Sequence, residues 1–359
     1  MRCTLALLIV MAAGCRAPVA AQPPAEPAIR GVLGAIDAHQ IVLLGESHRS
    51  TAFHHFVREL VQTPEFANRV NDIVVEFGNA RYQPILDRYI VGDSVPHDSL
   101  QLVWRNTTQL LAWDSPLYEQ FYTTIRRVNA GRPADRRLRV LAGDPPIDWV
   151  HTNGAADIPR SYGDRDIETL RIIEREVLGR SRKALVIIGG THIYREGPGD
   201  RVQPPALERA TLGDQLNRLH PGVAYVIESV FGDGSESLAR LVSVRALPGE
   251  MIHVSGTTLG DTSSSVLFGT GTTRFQVVNG VRVPLVLEPK DYPPLGRTLD
   301  AFVYHGRENP RLLASPDLYV SSPAYVAEIR RRIAVLSKFY GGDFWTEELD
   351  AQLAAGKRE

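Results

Sequence analysis

IVLLGESHRSTAFHH, residues 41–55, passes from a block of branched apolar residues into a glutamate, histidines and an arginine. Ile41 to Leu44 show no polar alternation, so the run has no face to offer water and reads as a strand covered on both sides. Gly45 permits a turn, Glu46, His48 and Arg49 leave at the strand's carboxyl end, and a helix is expected from Thr51 to Gln62. In open α/β sheets ligands bind at that edge. A capped turn with solvated charges reads this one strand equally well, so its meaning depends on how the other strands end.

They end alike. DIVVEF (72–77) closes on Glu76 before a helical GNARYQPILDRYI, and Leu138 to Ala142 runs into Asp144 within GDPP. Ala184 to Ile188 leads into GGTHIYR, with His192, Tyr194 and Arg195; Val223 to Ile227 stops at Glu228; AFVYHG (301–306) contains His305. Between these runs lie helical patterns at 28–39, within 97–130, at Asp166 to Arg180 and in the amphipathic stretch from Ser322 to Gly341. Trp104, Trp113, Tyr118, Phe121 and Tyr122 are expected to pack inside. Strands alternating with helices predict one α/β domain over 28–359, a mostly parallel central sheet flanked by helices, with a site at the carboxyl ends of its strands. Residues 248–290 loosen into Gly, Thr and Ser rich sequence and read as an insertion, with a hairpin expected at Asn279-Gly280.

The 359 residues can bury a full core, and 40 Lys plus Arg balance 41 Asp plus Glu. That balance gives no overall case for nucleic acid or an anionic membrane. Residues 1–27, MRCTLALLIVMAAGCRAPVAAQPPAEP, combine Arg2, a short apolar stretch from Leu5 to Ala13 and a Pro/Ala-rich tail. This is the layout of an export leader, too short for a span. AAGC resembles a lipoprotein box with Cys15 as the lipidated residue, whereas VAA before Gln22 suits ordinary signal cleavage. The lipoprotein is the preferred reading. Expected locations are therefore the periplasm, the outer membrane through an N-terminal lipid anchor, or the exterior. The mature chain keeps at most Cys15, so neither an internal disulfide nor a thiol metal site is expected.

The strand ends supply chemistry. GESH (45–48) and GGTH (189–192) share a G-x-x-H form in which glycine allows a tight exit and the histidine turns back over the edge. A histidine beside a carboxylate is suited to general-base work, which nominates Glu46, His48, Glu76 and His192 as catalytic. His48, His192 and Glu76 could equally ligate a divalent metal such as Mn, Co or Zn. Arg49 and Arg195 are candidates for an anionic or carbonyl oxygen, with a salt bridge as the competing role. Asp144, Tyr194, Glu228 and His305 complete the expected binding set, Asp144 being equally readable as a turn cap. His54 and His55 lie on the first helix, where one could face the site, but read preferentially as surface or packing residues, and His97 and His220 as loop residues. No G-x-S-x-G elbow, Walker A loop or strand-linked G-x-G-x-x-G is present.

At these residues the chain resembles the superfamily joining ChaN-like haem-binding lipoproteins, TIKI and TraB proteins, and erythromycin esterases. IVLLGESH is similar to its opening G-E-x-H strand, VVEF (74–77) to its second strand, and VIIGGTH (186–192) to its later G-x-x-H strand. The similarity covers mainly 35–90 and 184–195. Erythromycin esterases place an extra residue between the glutamate and histidine; ChaN-like proteins keep the present spacing but follow the histidine with aspartate, where this chain has Arg49. The resemblance implies either an exported hydrolase of an ester or amide bond, metal-assisted or not, or a haem or iron-complex binding lipoprotein without catalysis. In the second case Tyr194 or His192 would ligate iron. The expected partner is a small-molecule or peptide substrate, or haem, and not a nucleic acid. A polar edge that is only scaffolding is the remaining alternative.

Overall fold

The computed structural model describes residues 25–355 apart from 201, 203, 235, 271–272 and 279–280. Cys15, both cleavage points and the Asn279-Gly280 turn lie outside the described residues. The strands are β1 (Glu26–Pro27), β2 (Ile41–Glu46), β3 (Asp72–Asn79), β4 (Arg139–Asp144), β5 (Ala184–Gly189), β6 (Ala224–Phe231), β7 (Glu250–His253), β8 (Thr273–Val278), β9 (Val281–Val286) and β10 (Ala301–Gly306). Eight of them form one sheet in the order β1-β7-β10-β6-β2-β5-β3-β4, and β8 pairs with β9 separately. From β4 through β10 neighbours run parallel; β7 and β1 close the far side antiparallel.

The apolar runs of β2, β3 and β5 are buried along their whole length, as residues in the middle of a doubly covered sheet must be. Alternate residues feed two cores. Val42, Leu44, Ile73, Val75, Leu185 and Ile187 pack with the helices Ala28–Ala38, Thr51–Gln62 and Pro116–Ala130. Ile41, Leu43, Val74, Val186 and Ile188 pack on the opposite face with residues of helix Leu212–Leu219 and of the stretch 165–177. The expected aromatic set, Trp104, Trp113, Tyr118, Phe121 and Tyr122, is buried in the first core. A third cluster joins Leu110, Ile147 and Trp149 to Ile333, Leu336, Trp345 and Leu349, forming a cap from helices Pro323–Tyr340 and Thr346–Ala355. Residues 307–315 connect β10 to this cap.

The structure differs from expectation at four places. β6 continues through Glu228 to Phe231, because SVF beyond it is again able to pack even though a buried carboxyl is costly in a strand. β7, inside the supposed insertion, belongs to the main sheet, pairing with β10. The stretch 165–180 is α-helical to Ile172, then π-helical from Ile173 to Val177, then one 3-10 turn. His97 opens helix His97–Arg105 instead of lying in a loop. Among the described residues no helix is long and apolar enough to cross a membrane.

Candidate active site

Register brings the carboxylates together. Glu46 on β2 stands opposite Gly189 on β5, and Val75 on β3 opposite Ile187, so Glu76 lies one residue further along. Successive side chains on a strand point to opposite faces. Glu46 is in step with Val42 and Leu44, and Glu76 with Val74, so the two carboxylates approach the edge from opposite sides of the sheet. His48 lies between them, its Nδ1 3.5 Å from Glu46 Oε2 and its Nε2 3.9 Å from Glu76 Oε2. Gly189 makes this possible, because a Cβ there would stand 3.1 Å from His48 Cε1. Trp113 closes on the imidazole edge to face, 4.7 Å between ring centres.

Helix Thr51–Gln62 begins at Ser50, whose hydroxyl accepts from the Phe53 N–H, and this cap sets the helix's inner face. His54 falls on that face, buried, with Nε2 3.0 Å from Glu46 Oε1, so it takes the alternative of facing the candidate site over the preferred surface or packing role. The Tyr118 hydroxyl donates to the same Oε1 at 2.9 Å and accepts from the Arg49 N–H at 3.1 Å. Burial works against a charged Glu46, yet the His48 and His54 rings beside it hold its carboxyl well below the usual range. Burial likewise opposes a charged His48, but Glu46 and then Glu76 outweigh it and raise its pKa.

Glu76 is fixed by two donors. The Gly189 N–H reaches Oε2 at 2.8 Å, and Arg165 Nη2 lies 2.8 Å from Oε1. Arg165 also contacts Asp144 Oδ1 at 2.7 Å, and Asp144 accepts from the Thr108 N–H, so Asp144 is a buried anchor for the guanidinium. Burial raises the Asp144 pKa despite that partner, whereas at Glu76 the Arg165 charge overcomes burial and lowers it. His192 Nε2 stands 3.9 Å from Glu76 Oε1, and its Nδ1 is 2.7 Å from Asp166 Oδ1. Burial would lower the His192 pKa, but the hydrogen bond and charge of Asp166 raise it. Both rings thus present Nε2 to one pinned carboxylate and carry a second carboxylate behind Nδ1. A carboxylate at Nδ1 favours the proton there and leaves Nε2 as the base.

A cavity of about 490 Å³ opens at His48, walled by Leu110, Tyr340, Phe344 and Trp345. Arg49 lines it with Nη1 2.6 Å from Glu348 Oε1, tying helix Thr346–Ala355 to the histidine loop. Its φ of 63° is unusual for a residue with a side chain, and the Tyr118 hydroxyl and the Leu312 N–H, which donates to its carbonyl, secure it. Other expected residues stand apart from this cluster. Arg195 forms a two-pronged pair with Asp300, at 2.6 and 2.9 Å. Tyr194 lines a separate cavity of about 270 Å³ with Phe268. His305 stacks on Phe231 and contacts Ser229, and burial pushes its pKa down to about 4. Glu228 sits against Gly45 and Gly190, and a Cβ on Gly190 would fall 2.8 Å from its oxygens.

Glu46, His48 and Glu76 offer ligand atoms that all lie within 4.8 Å of one another. Glu46 Oε2 and His48 Nδ1, 3.5 Å apart, are buried without a hydrogen bond among the described residues, whereas Glu76 Oε1 is already ion-paired with Arg165. That oxygen and imidazole donor set fits a divalent cation, with Glu46 in the place expected for His192. For haem, burial and the neighbouring Glu228 raise the Tyr194 pKa well above 10, which opposes a tyrosinate ligand, whereas Asp166 at Nδ1 leaves His192 Nε2 open to iron.

No protein-family model matches the chain, and no curated protein matches it. Solved structures similar to it in fold include a succinoglycan biosynthesis protein at 11% identity and TM-score 0.48, over 79% of this chain and 92% of that one. An erythromycin esterase, EreC, in its open conformation aligns at 12% identity and TM-score 0.48, covering 78% and 94%. ChaN of Campylobacter jejuni with cofacial haem aligns at 10% identity and TM-score 0.33, covering 57% and 85%.

Proposed function

We propose that the chain is an exported hydrolase of an ester or amide bond in a small-molecule or peptide substrate. The observation that carries this reading is the convergence of two histidine–carboxylate pairs, His48–Glu46 and His192–Asp166, on Glu76 beside a cavity. His48 Nε2 takes a proton from a water that attacks the scissile carbonyl, while Glu46 supports the resulting imidazolium. His192 returns a proton to the leaving oxygen or nitrogen. Glu76, kept ionised by Arg165, lies 3.9 Å from each Nε2 and supports the positive charge that each ring carries when protonated. A divalent cation, when bound by Glu46, His48 and Glu76, would supply Lewis-acid polarisation.

Hydrolysis of a panel of ester, lactone and peptide substrates tests the reading. His48→Ala and His192→Ala should each reduce the rate by about 10²–10⁴, the typical contribution of a general acid or base, and leave the melting temperature nearly unchanged. Because Glu46 and Glu76 raise the His48 pKa, the free base populates only above the ordinary histidine range, so the rate should climb with pH along a limb displaced upward. Full activity in either variant contradicts the mechanism. A wild-type protein inactive on the whole panel that binds haem stoichiometrically replaces the hydrolase reading with the binding one.

A further inference from the structure

The opposite edge of the sheet carries a second concentration of charge that hydrolysis does not use. Segments entering β3, β4 and β5 meet there around a cavity of about 390 Å³, lined by Arg132, Arg136, Arg137 and Arg182, with Asp135 as its one carboxylate and Asn68 and Asn71 beside them. The chain as a whole has a net charge of −1, so this local excess of cations is not a reflection of general basicity.

Among the described residues, three of the four guanidinium groups are held by part of their donors and Arg136 by none. Arg132 Nε donates to the Arg136 carbonyl at 2.8 Å, and its Nη2 to Asn68 Oδ1 at 3.1 Å and to the Ala67 carbonyl. Arg182 grips Asp72 through Nε and Nη2, at 2.7 and 2.9 Å. Arg137 is restrained only by a 3.4 Å bond from Nε to the Arg132 carbonyl. The Nη1 groups of Arg132 and Arg182, both Nη groups of Arg137 and the whole Arg136 guanidinium find no acceptor among the described residues. Asp72, which neutralises Arg182, is shared with Arg139, so it does not balance the other three. With Arg182 paired to Asp72, Arg132, Arg136 and Arg137 face one concavity with only Asp135 among them, and an anion joining them relieves their mutual repulsion. Guanidinium forks match the paired oxygens of a phosphate, and partly anchored ones lose less entropy in binding it.

We propose that Arg132, Arg136, Arg137 and Arg182 form a binding site for a phosphate group, carried by a soluble phosphate compound or by a phospholipid headgroup. The site lies at the amino-terminal edge of the parallel strands, across the sheet from His48, so ligand and substrate can be held at once.

Calorimetric titration of the protein at low salt with inorganic pyrophosphate and, separately, with dibutanoyl phosphatidylglycerol, a water-soluble phosphodiester lipid, tests this. Binding of either, weakened at least tenfold in Arg136→Ala/Arg137→Ala and falling steeply with added salt, is the expected result. Tighter binding of pyrophosphate identifies a soluble phosphate, and tighter binding of the lipid identifies a headgroup. The single variant Arg136→Ala, which removes a side chain with no hydrogen-bond partner among the described residues, keeps the result readable should the double variant misfold. If the wild type binds neither probe, or the folded variants bind as the wild type does, the site does not exist.

Discussion

At the scale of single residues, Glu228 shows what a carboxyl group does inside a strand. Its backbone pairs with Phe302, its Oε1 accepts from the Ser229 N–H, and burial pushes its pKa up to about 7. Between its ordinary pKa and 7 the folded protein therefore holds a proton that the unfolded chain has released. Stability from this group is full at low pH and is lost as pH rises toward 7, the loss being on the order of a few kcal/mol at most. Glu228→Gln, which keeps the shape without the charge, should raise the urea midpoint at pH 8 and change it little at pH 5. Equal effects at the two pH values would refute the assignment. The residues legible in sequence, Glu46, His48, Glu76 and His192, share one property: polar groups directly following or interrupting a run of buried apolar ones. His54 and Tyr118 were hidden by lying on buried stripes of helices, where a histidine or tyrosine looks like packing. Arg165 and Asp166 open a helix, where charges look like solvated end groups; only the tertiary fold turns them toward Glu76 and His192.

At the scale of elements, glycines separate free helical surface from close approach. In helix Ala28–Ala38 a Cβ added to Gly34 meets nothing within 4 Å, whereas one added to Gly213 at the start of helix Leu212–Leu219 overlaps the Ile193 carbonyl oxygen. Gly34→Ala should stabilise the protein by about 0.5–1 kcal/mol through helix propensity. Gly213→Ala should destabilise it by about 1–3 kcal/mol or more, since a backbone carbonyl cannot rotate aside as a side chain can. It should also lower activity, because Ile193 directly follows His192. Urea unfolding of both variants checks this, and shifts of the same sign would defeat it. Element type followed from apolar periodicity, as in Thr51–Gln62, where the expected and observed helices coincide. It was less legible where polar residues interrupt a buried run, as β6 does at Glu228, or where a short strand sits in loosely patterned sequence, as β7 does.

At the scale of the whole molecule, alternation of strands and helices was enough to give the parallel sheet, because each parallel return requires a crossover. Of the cap, helix Pro323–Tyr340 was legible as an amphipathic stretch, whereas helix Thr346–Ala355 was not: it acquires its role only by meeting Leu110 and Arg49, far away in sequence. Export is a whole-chain property as well, proposed from the leader. Cys15→Ala should move the protein from the membrane fraction to the soluble periplasmic or extracellular fraction, as judged by fractionation and immunoblotting. Unprocessed wild-type protein in the cytosol would end that proposal.

The Arg49–Glu348 pair joins the loop that bears His48 to the last described helix. During synthesis the strands that supply Glu46, Glu76, Gly189 and Glu228 emerge long before Tyr340, Phe344 and Trp345 exist. The edge can therefore assemble unroofed, with His48 open to any passing molecule, and selectivity arrives only with the final helices. A cut in the exposed stretch between Gly306 and Ala314 would remove the covalent link between sheet and cap in the mature protein. The sheet would keep its strands and both histidines, and the helices of the wall would then be held to it by the Arg49–Glu348 pair and the packing around Leu110 and Trp149 alone.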